Sequence, residues 1–317
     1  MKSNQYKTGF DVIGDVHADA LTLRKLLTEL GYVENAAKGF YHPSGDRQAL
    51  FVGDYINKGA QNLESISIVH KMMTSGAAIG LMGNNEFNHI YSHQMGDLAI
   101  VEGSSFSEEV EAANTSMDVL VDQFKQLKLY YTPPTRDFIA VHAQYKPSQF
   151  ESMRGFVDNE NRLRPNCYEK YSDSKHPLHE TFMKSAGIAL FGTEVEVPNS
   201  LAYKSRSGEF NNKARLLWWE SEHATLSSVL NKPANDVTDA QREDYAAMKS
   251  RDSHWSEHFE KPDRLVFCGH IPRGEAVGYT SNDKVICLDT EEGIGAYRYN
   301  MDDRGVVKPH RIKLACK

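Results

Sequence analysis

Short apolar blocks, each closed by a polar loop, set the rhythm of this chain. Gly9–Ile13 is one such block. It leads into Asp15 to His17, after which Leu21, Leu23, Leu26, Leu27 and Leu30 recur at helical spacing until Gly31. Ala49–Val52 predicts a second strand running into Gly53-Asp54, followed by a helix over Leu63–Met73 that Gly76 closes. Ala77–Met82 predicts a third strand, which runs into Gly83-Asn84-Asn85-Glu86. Repeated β-loop-α units of this length predict parallel crossovers and an α/β fold. Tyr91 to about Lys128 turns helical and acidic and is expected to be an insertion capping the mouth of the site. Phe138–Val141 is a further strand ending at His142, and Leu265–Cys268 another ending at Gly269-His270. Val285–Leu288 and Ala296–Tyr299 read as closing antiparallel strands. Residues 147–262 are polar with weak periodicity, and only Leu216–Trp219 stands out there as apolar.

Composition narrows this picture without changing it. With 317 residues, 40% hydrophobic and 25% charged, the chain can bury a substantial core and is expected to form a single domain over 1–317. A formal net charge of -7 gives no general attraction to nucleic acid or anionic membrane, so any phosphate recognition must be local. No apolar run approaches the ~20 residues that cross a bilayer. The opening MKSNQYKTGF leads into a strand instead of a signal-peptide core, and a cytoplasmic location is expected. Cys167, Cys268, Cys287 and Cys316 are scattered with no C-x-x-C pair, which argues for reduced structural thiols and against a cysteine zinc site.

The chemistry gathers at strand ends. Asp15 with His17, Asp54, Asn84, His142 and His270 each follow an apolar block, and open α/β sheets place their ligands at that edge. Carboxylate, amide oxygen and imidazole suit Mn, Fe or Zn, with no thiolate to favour a structural zinc. A carboxylate such as Asp54 can bridge two divalent metal ions, and such a pair can bind both the attacking and the leaving oxygens of a phosphoryl displacement.

At these residues the chain resembles a known family. Gly14-Asp15-Val16-His17, Gly53-Asp54-Tyr55-Ile56-Asn57-Lys58-Gly59, Gly83-Asn84-Asn85-Glu86, Val141-His142-Ala143 and Gly269-His270 resemble, in order, the five signature blocks of the calcineurin-like metallophosphoesterases. The flow is closest to the bacterial serine/threonine-phosphatase and diadenosine-tetraphosphatase-like branch. The resemblance implies a central β-sandwich flanked by helices. It implies that Asp15, His17 and Asp54 hold one metal, while Asp54, Asn84, His142 and His270 hold the second. Pro272 stands where many relatives have a further histidine, as in the protein-phosphatase-like branch.

Two blocks depart from the family pattern. Asn57-Lys58 replaces Asp-Arg, and Asn85 replaces the histidine that in relatives protonates the leaving oxygen. An amide cannot act as that acid, and without an imidazole its aspartate orienter is dispensable. Lys58 keeps a positive charge without the bidentate fork of Arg. His89 and His93 follow Asn85 at helical spacing but are expected to face solvent, and Glu86 is expected to support the loop. Arg215, Arg273, Arg154, Arg162 and Arg164 are candidate phosphate clamps.

The expected function is a phosphomonoesterase that uses a metal-bridging hydroxide and favours leaving groups that depart unprotonated, acting on a phosphorylated protein or small molecule. Two other readings stand beside it. One is a metal- and phosphate-binding pseudo-phosphatase, and the other a nucleotide phosphodiesterase or pyrophosphohydrolase, for which Trp218 and Trp219 would be base-stacking candidates.

Overall fold

The structure, a computed structural model, describes residues 9–204, 210–223, 225–226, 237–272, 278–290, 293–300 and 310–312. Its apolar blocks form two five-stranded sheets. The first contains β1 (Gly9–Ile13), β2 (Arg47–Phe51), β3 (Ala78–Gly80), β9 (Ala296–Asn300) and β10 (His310–Ile312), in the order β10-β9-β1-β2-β3. The second contains β4 (Tyr130–Tyr131), β5 (Phe138–Val141), β6 (Leu265–Cys268), β7 (Gly278–Tyr279) and β8 (Val285–Cys287), in the order β7-β8-β6-β5-β4.

Both faces of each sheet are mainly apolar, and the alternation of side chains assigns them to different layers. Phe10 and Val12, Leu50 and Val52, Phe138 and Ala140, Phe267, Ile286, and Tyr297 and Tyr299 meet between the sheets. The residues between them, Ile13, Ala49, Phe51, Ile139, Val141, Val266 and Val285, join the principal core under the helices. The result is a mixed α/β sandwich with helices outside it.

Three helices follow the first sheet's parallel strands. They are α1 (Ala20–Glu29), α2 (Asn62–Thr74) and α3 (Asn84–Met95). Asp19 caps α1 by accepting from the Thr22 amide, and Gly96 ends α3 in the left-handed conformation. Within the segment 91–128 lie α4 (Ser105–Ala112) and α5 (Met117–Phe124). Their Phe106, Val110, Leu120, Val121 and Phe124 belong to the principal core. No helix among the described residues is long and apolar enough to cross a membrane.

Strand register decides what the sheets can do. Ile13 pairs with Phe51 and Phe51 with Gly80, all in parallel, so the loops after β1, β2 and β3 leave the sheet side by side. In the second sheet Phe267 pairs with Ala140 and Cys268 with Cys287, again in parallel. This corrects one expectation: β8 is not a closing antiparallel strand but runs parallel to β6, while its antiparallel partner is β7. β9 does run antiparallel to β1, with β10 outside it at the edge of the sheet.

The polar stretch 147–262 divides by its packing. Phe156, Tyr168, Phe182 and Leu190 extend the principal core. Val197, Leu201, Leu216, Tyr245, Trp255 and Phe259 form a separate small cluster. The helix Asp239–Arg251 buries only Tyr245, which is why its sequence shows little periodicity. Leu216–Trp219 is buried without being a strand, and the Trp218 indole donates to Ala143 O at 3.2 Å. Both Trp218 and Trp219 are buried, so neither offers a face for stacking a base. A hairpin of Val33–Asn35 and Gly39–Tyr41 has no counterpart in the sequence reading.

Phe138 is the centre of the inter-sheet layer, edge-on to Phe10, Phe267 and Tyr299 at ring separations of 5.5, 5.2 and 4.9 Å. Phe138→Ala is expected to cost ~3–5 kcal/mol of stability in urea unfolding. A loss below ~1 kcal/mol would show that the sheets repack around the gap.

Candidate metal centre

The parallel register brings six loops to one edge of the sandwich, and backbone bonds lace them together. Asp54 O accepts from the Val16 and His17 amides at 3.0 and 2.9 Å, which ties the loop after β1 to that after β2. Glu86 is fully buried and ties the next loop in. Its carboxylate accepts from the amides of Asp54 and Gly83, each at 3.0 Å, and of Tyr55 at 2.8 Å. Burial first, and then the nearby Asp54 charge, push the Glu86 carboxyl up to about 8. Its oxygens are committed to these amides, so it braces the loops.

The close approach demands glycine. A Cβ on Gly83 would lie 2.3 Å from Asp54 N, and one on Gly269 would lie 2.0 Å from Asp15 Oδ1. Among the described residues, His17, Ala18, Asp54, Asn57, Lys58 and His270 adopt positive φ although none is glycine. Such strain costs on the order of 1 kcal/mol per residue and clusters where function requires a particular geometry.

The side chains converge in two groups. Ligand atoms of Asp54, His142 and His270 lie within 4.8 Å of one another, as do those of Asp15, His17 and Asp289. His142 Nδ1 lies 2.9 Å from Val52 O, so that nitrogen carries the proton and Nε2 presents a lone pair. His270 is the mirror case, with Nε2 3.0 Å from Phe191 O and Nδ1 left as the acceptor. His142 Nε2 then faces His270 Nδ1 and Asn84 Oδ1, each at 3.1 Å, and Asp54 Oδ1 at 3.5 Å. Four lone-pair atoms meet with no hydrogen between them. That arrangement is repulsive unless a cation sits among them, and the residues therefore fit a metal ion.

The titration pattern agrees. Burial, and then the Arg215 charge, hold His270 well below its usual range, and burial also lowers His142, so both stay neutral and able to ligate. Burial pushes His17 down to about 4. Asp15 is raised well above the usual carboxylate range by burial, then by the charges of Asp289 and Asp54.

Lys58 is exposed, with its ammonium 2.6 Å from His17 Nε2. Asn85 does not project over the centre. Its side chain donates to Asp54 Oδ2 at 2.7 Å and accepts from Asn57 Nδ2 at 3.1 Å. Of the candidate clamps, Arg215 is close enough for its charge to act on His142 and His270, although its Nε is shared with Glu194 at 3.4 Å. Arg154 is held by Glu151, Arg162 by Asp158 and Arg164 by Val157 O. Arg273 lies outside the described residues. Asp289 was not anticipated. It follows the apolar run Val285–Leu288 just as the other candidate ligands follow theirs, and that signal could have found it.

The sandwich carries two adjoining clusters of candidate carboxylate, imidazole and amide ligands at its strand ends, the donor set that a pair of divalent cations takes. The calcineurin-like phosphoesterase family model matches residues 9–302, and the chain belongs to that family. It is 31% identical over 147 residues to a bis(5'-nucleosyl)-tetraphosphatase PrpE of Halalkalibacterium halodurans, covering 42% of this chain and 56% of that one. It is 28% identical over 142 residues to the protein of the same name from Oceanobacillus iheyensis, covering 42% and 55%. The chain thus spans about half the length of these curated relatives. A solved serine/threonine phosphatase of Saccharomyces cerevisiae superposes with a TM-score of 0.49 at 12% identity, covering 98% of this chain and 82% of that one.

Of the two histidines beyond Asn85, only His93 faces solvent, paired with Asp118 at 2.8 Å. His89 is buried, stacked edge-on against Phe106 at 4.6 Å, because α4 covers this face of α3. Its Nε2 has no hydrogen-bond partner among the described residues, and burial lowers its ionisation to about 4. The folded state therefore keeps His89 neutral while the unfolded chain protonates it near 6.5. The stability this confers is complete above pH 6.5 and is lost as pH falls toward 4. Between pH 7 and pH 4 the protein is expected to lose roughly 3 kcal/mol more than a His89→Leu variant in urea unfolding. Parallel pH profiles for the two would contradict this.

Proposed function

We propose that the chain hydrolyses phosphate esters or anhydrides whose leaving groups depart without protonation. The observation that carries this is the donor-free meeting of Asp54, Asn84, His142 and His270 beside Asp15, His17 and Asp289. Two divalent cations, with manganese, iron or zinc all suited to these ligands, would activate a water there and draw charge from the phosphoryl oxygens. The chain's own contribution is orientation. Val52 O and Phe191 O fix the histidine tautomers, the Lys58 ammonium stands beside His17, and the Arg215 charge reaches His142 and His270.

What is missing decides the substrate class. Asn85 holds Asp54 and has no proton to give to a leaving oxygen. An acid contributes ~10²–10⁴-fold for a strongly basic leaving group and little for a weakly basic one. Aryl monoesters, phosphotyrosine included, suit such a site better than phosphoserine. Phosphoanhydrides suit it equally, and the relatives named bis(5'-nucleosyl)-tetraphosphatase favour a dinucleoside polyphosphate as the second reading.

Rates on a series of aryl phosphates, an alkyl phosphate and diadenosine tetraphosphate, each with added Mn²⁺, test this. A steep fall in rate as the leaving group becomes more basic is expected, with the alkyl ester at least ~10²-fold slower than p-nitrophenyl phosphate. Equal rates on alkyl and aryl esters would overturn the proposal. Tight phosphate binding without turnover of any substrate would favour the pseudo-phosphatase reading instead.

A further inference from the structure

The two asparagines that replace the family's acid and its orienter are joined in a directed chain of hydrogen bonds. The Phe106 amide, in the first turn of α4, donates to Asn57 Oδ1 at 3.3 Å. Asn57 Nδ2 donates to Asn85 Oδ1 at 3.1 Å, and Asn85 Nδ2 donates to Asp54 Oδ2 at 2.7 Å. Each link sets the orientation of the next, because an amide whose oxygen is taken must offer its nitrogen onward. The Asn85 backbone amide completes the hold on Asp54, donating to Oδ1 at 3.0 Å. Each carboxylate oxygen thus receives one donor from Asn85. A carboxylate has about four lone-pair sites, so two remain for bridging.

The far end of the chain is anchored as firmly. α2 has no side-chain cap from its own N-cap residue, Gln61. Glu109 of α4 supplies one, accepting from the Asn62 and Leu63 amides at 2.7 and 3.1 Å and from Asn62 Nδ2 at 2.8 Å. Asn62 is fully buried, and its Oδ1 accepts from the Asn57 amide at 2.7 Å. α4 therefore grips the Asn57 turn twice, once through Phe106 and once through Glu109 and Asn62.

We infer that Asn57 and Asn85 are positioning residues that transmit the seating of α4 to the bridging carboxylate Asp54 and so set the affinity of the centre for divalent cations. This rests on the two-metal reading of the site. Within it, the asparagines hold Asp54 in its bridging orientation, and α4 becomes the element whose docking tunes the centre.

The test uses the full-length protein and Mn²⁺ alone, with affinity measured by calorimetry. Asn85→Ala is expected to weaken Mn²⁺ binding by about 10- to 100-fold, the usual effect of losing a partner behind a metal ligand. Asn57→Gly, which tolerates the positive φ of 68° at that position, should weaken it too, as should Glu109→Gln. The discriminating measurement is the double variant. If Asn57 acts through Asn85, adding Asn57→Gly to Asn85→Ala should change affinity no further, whereas unrelated structural damage would add. Additive losses, or wild-type affinity in folded single variants, would overturn the relay. A second readout needs no metal: exchange of the Asn85 side-chain amide protons, followed by NMR, should speed up in Asn57→Gly. If the wild-type protein bound no divalent cation, the two-metal reading would fail on its own account. Exchange would then decide the relay, with an unchanged rate in Asn57→Gly overturning it.

Discussion

Asp54 is the residue on which the rest of the site depends. Its carbonyl oxygen ties down the loop after β1, its amide is held by Glu86, and its carboxylate is gripped by Asn85 while facing His142. It does this from a left-handed backbone conformation, almost wholly removed from solvent. A charged carboxylate in that position would be costly unless fully engaged. Asp54 is held by Val16, His17, Glu86 and Asn85, and its carboxylate also faces His142.

The electrostatics of the whole strand-end edge follow. Asp15 and Asp289 are buried near Asp54, and Glu86 is buried behind it, while Lys58 and Arg215, described cations whose charges reach this edge, are exposed. Among the described residues, the sandwich therefore gathers carboxyl groups and lone pairs at one buried edge. The laced loops and the positive-φ residues keep the ligands from relaxing apart. Divalent cations would answer both problems at once, and the neutral state of His142 and His270 would leave them free to contribute nitrogen ligands.

Much of this was legible in the sequence because strand ends announce themselves. Apolar blocks such as Gly9–Ile13 and Leu265–Cys268 are short, and the residue after each turn is the one that reaches the edge, so Asp15, Asp54, Asn84, His142 and His270 could be named from position alone. The direction of β8 was not legible, since pairing partners are set by tertiary register and Val285–Leu288 reads the same in either sense. For the same reason Asp289 was passed over although its local pattern matches the others. His89 looked like a solvent-facing histidine because helical spacing alone does not reveal that α4 lies across it. The stretch 194–259 was opaque because its small core draws single residues such as Tyr245 and Trp255 from otherwise polar segments, which leaves no period to read.

The proposed centre requires Asp54 to stand between two cation positions. Anomalous diffraction from crystals of the metal-loaded protein, collected at the edges of manganese, iron and zinc, tests it directly. Two peaks about 3.5–4 Å apart are predicted, with Asp54 contacting both. Asp15 and His17 should contact one of them, and Asn84, His142 and His270 the other. A single peak, or a pair that Asp54 does not touch, would contradict the account.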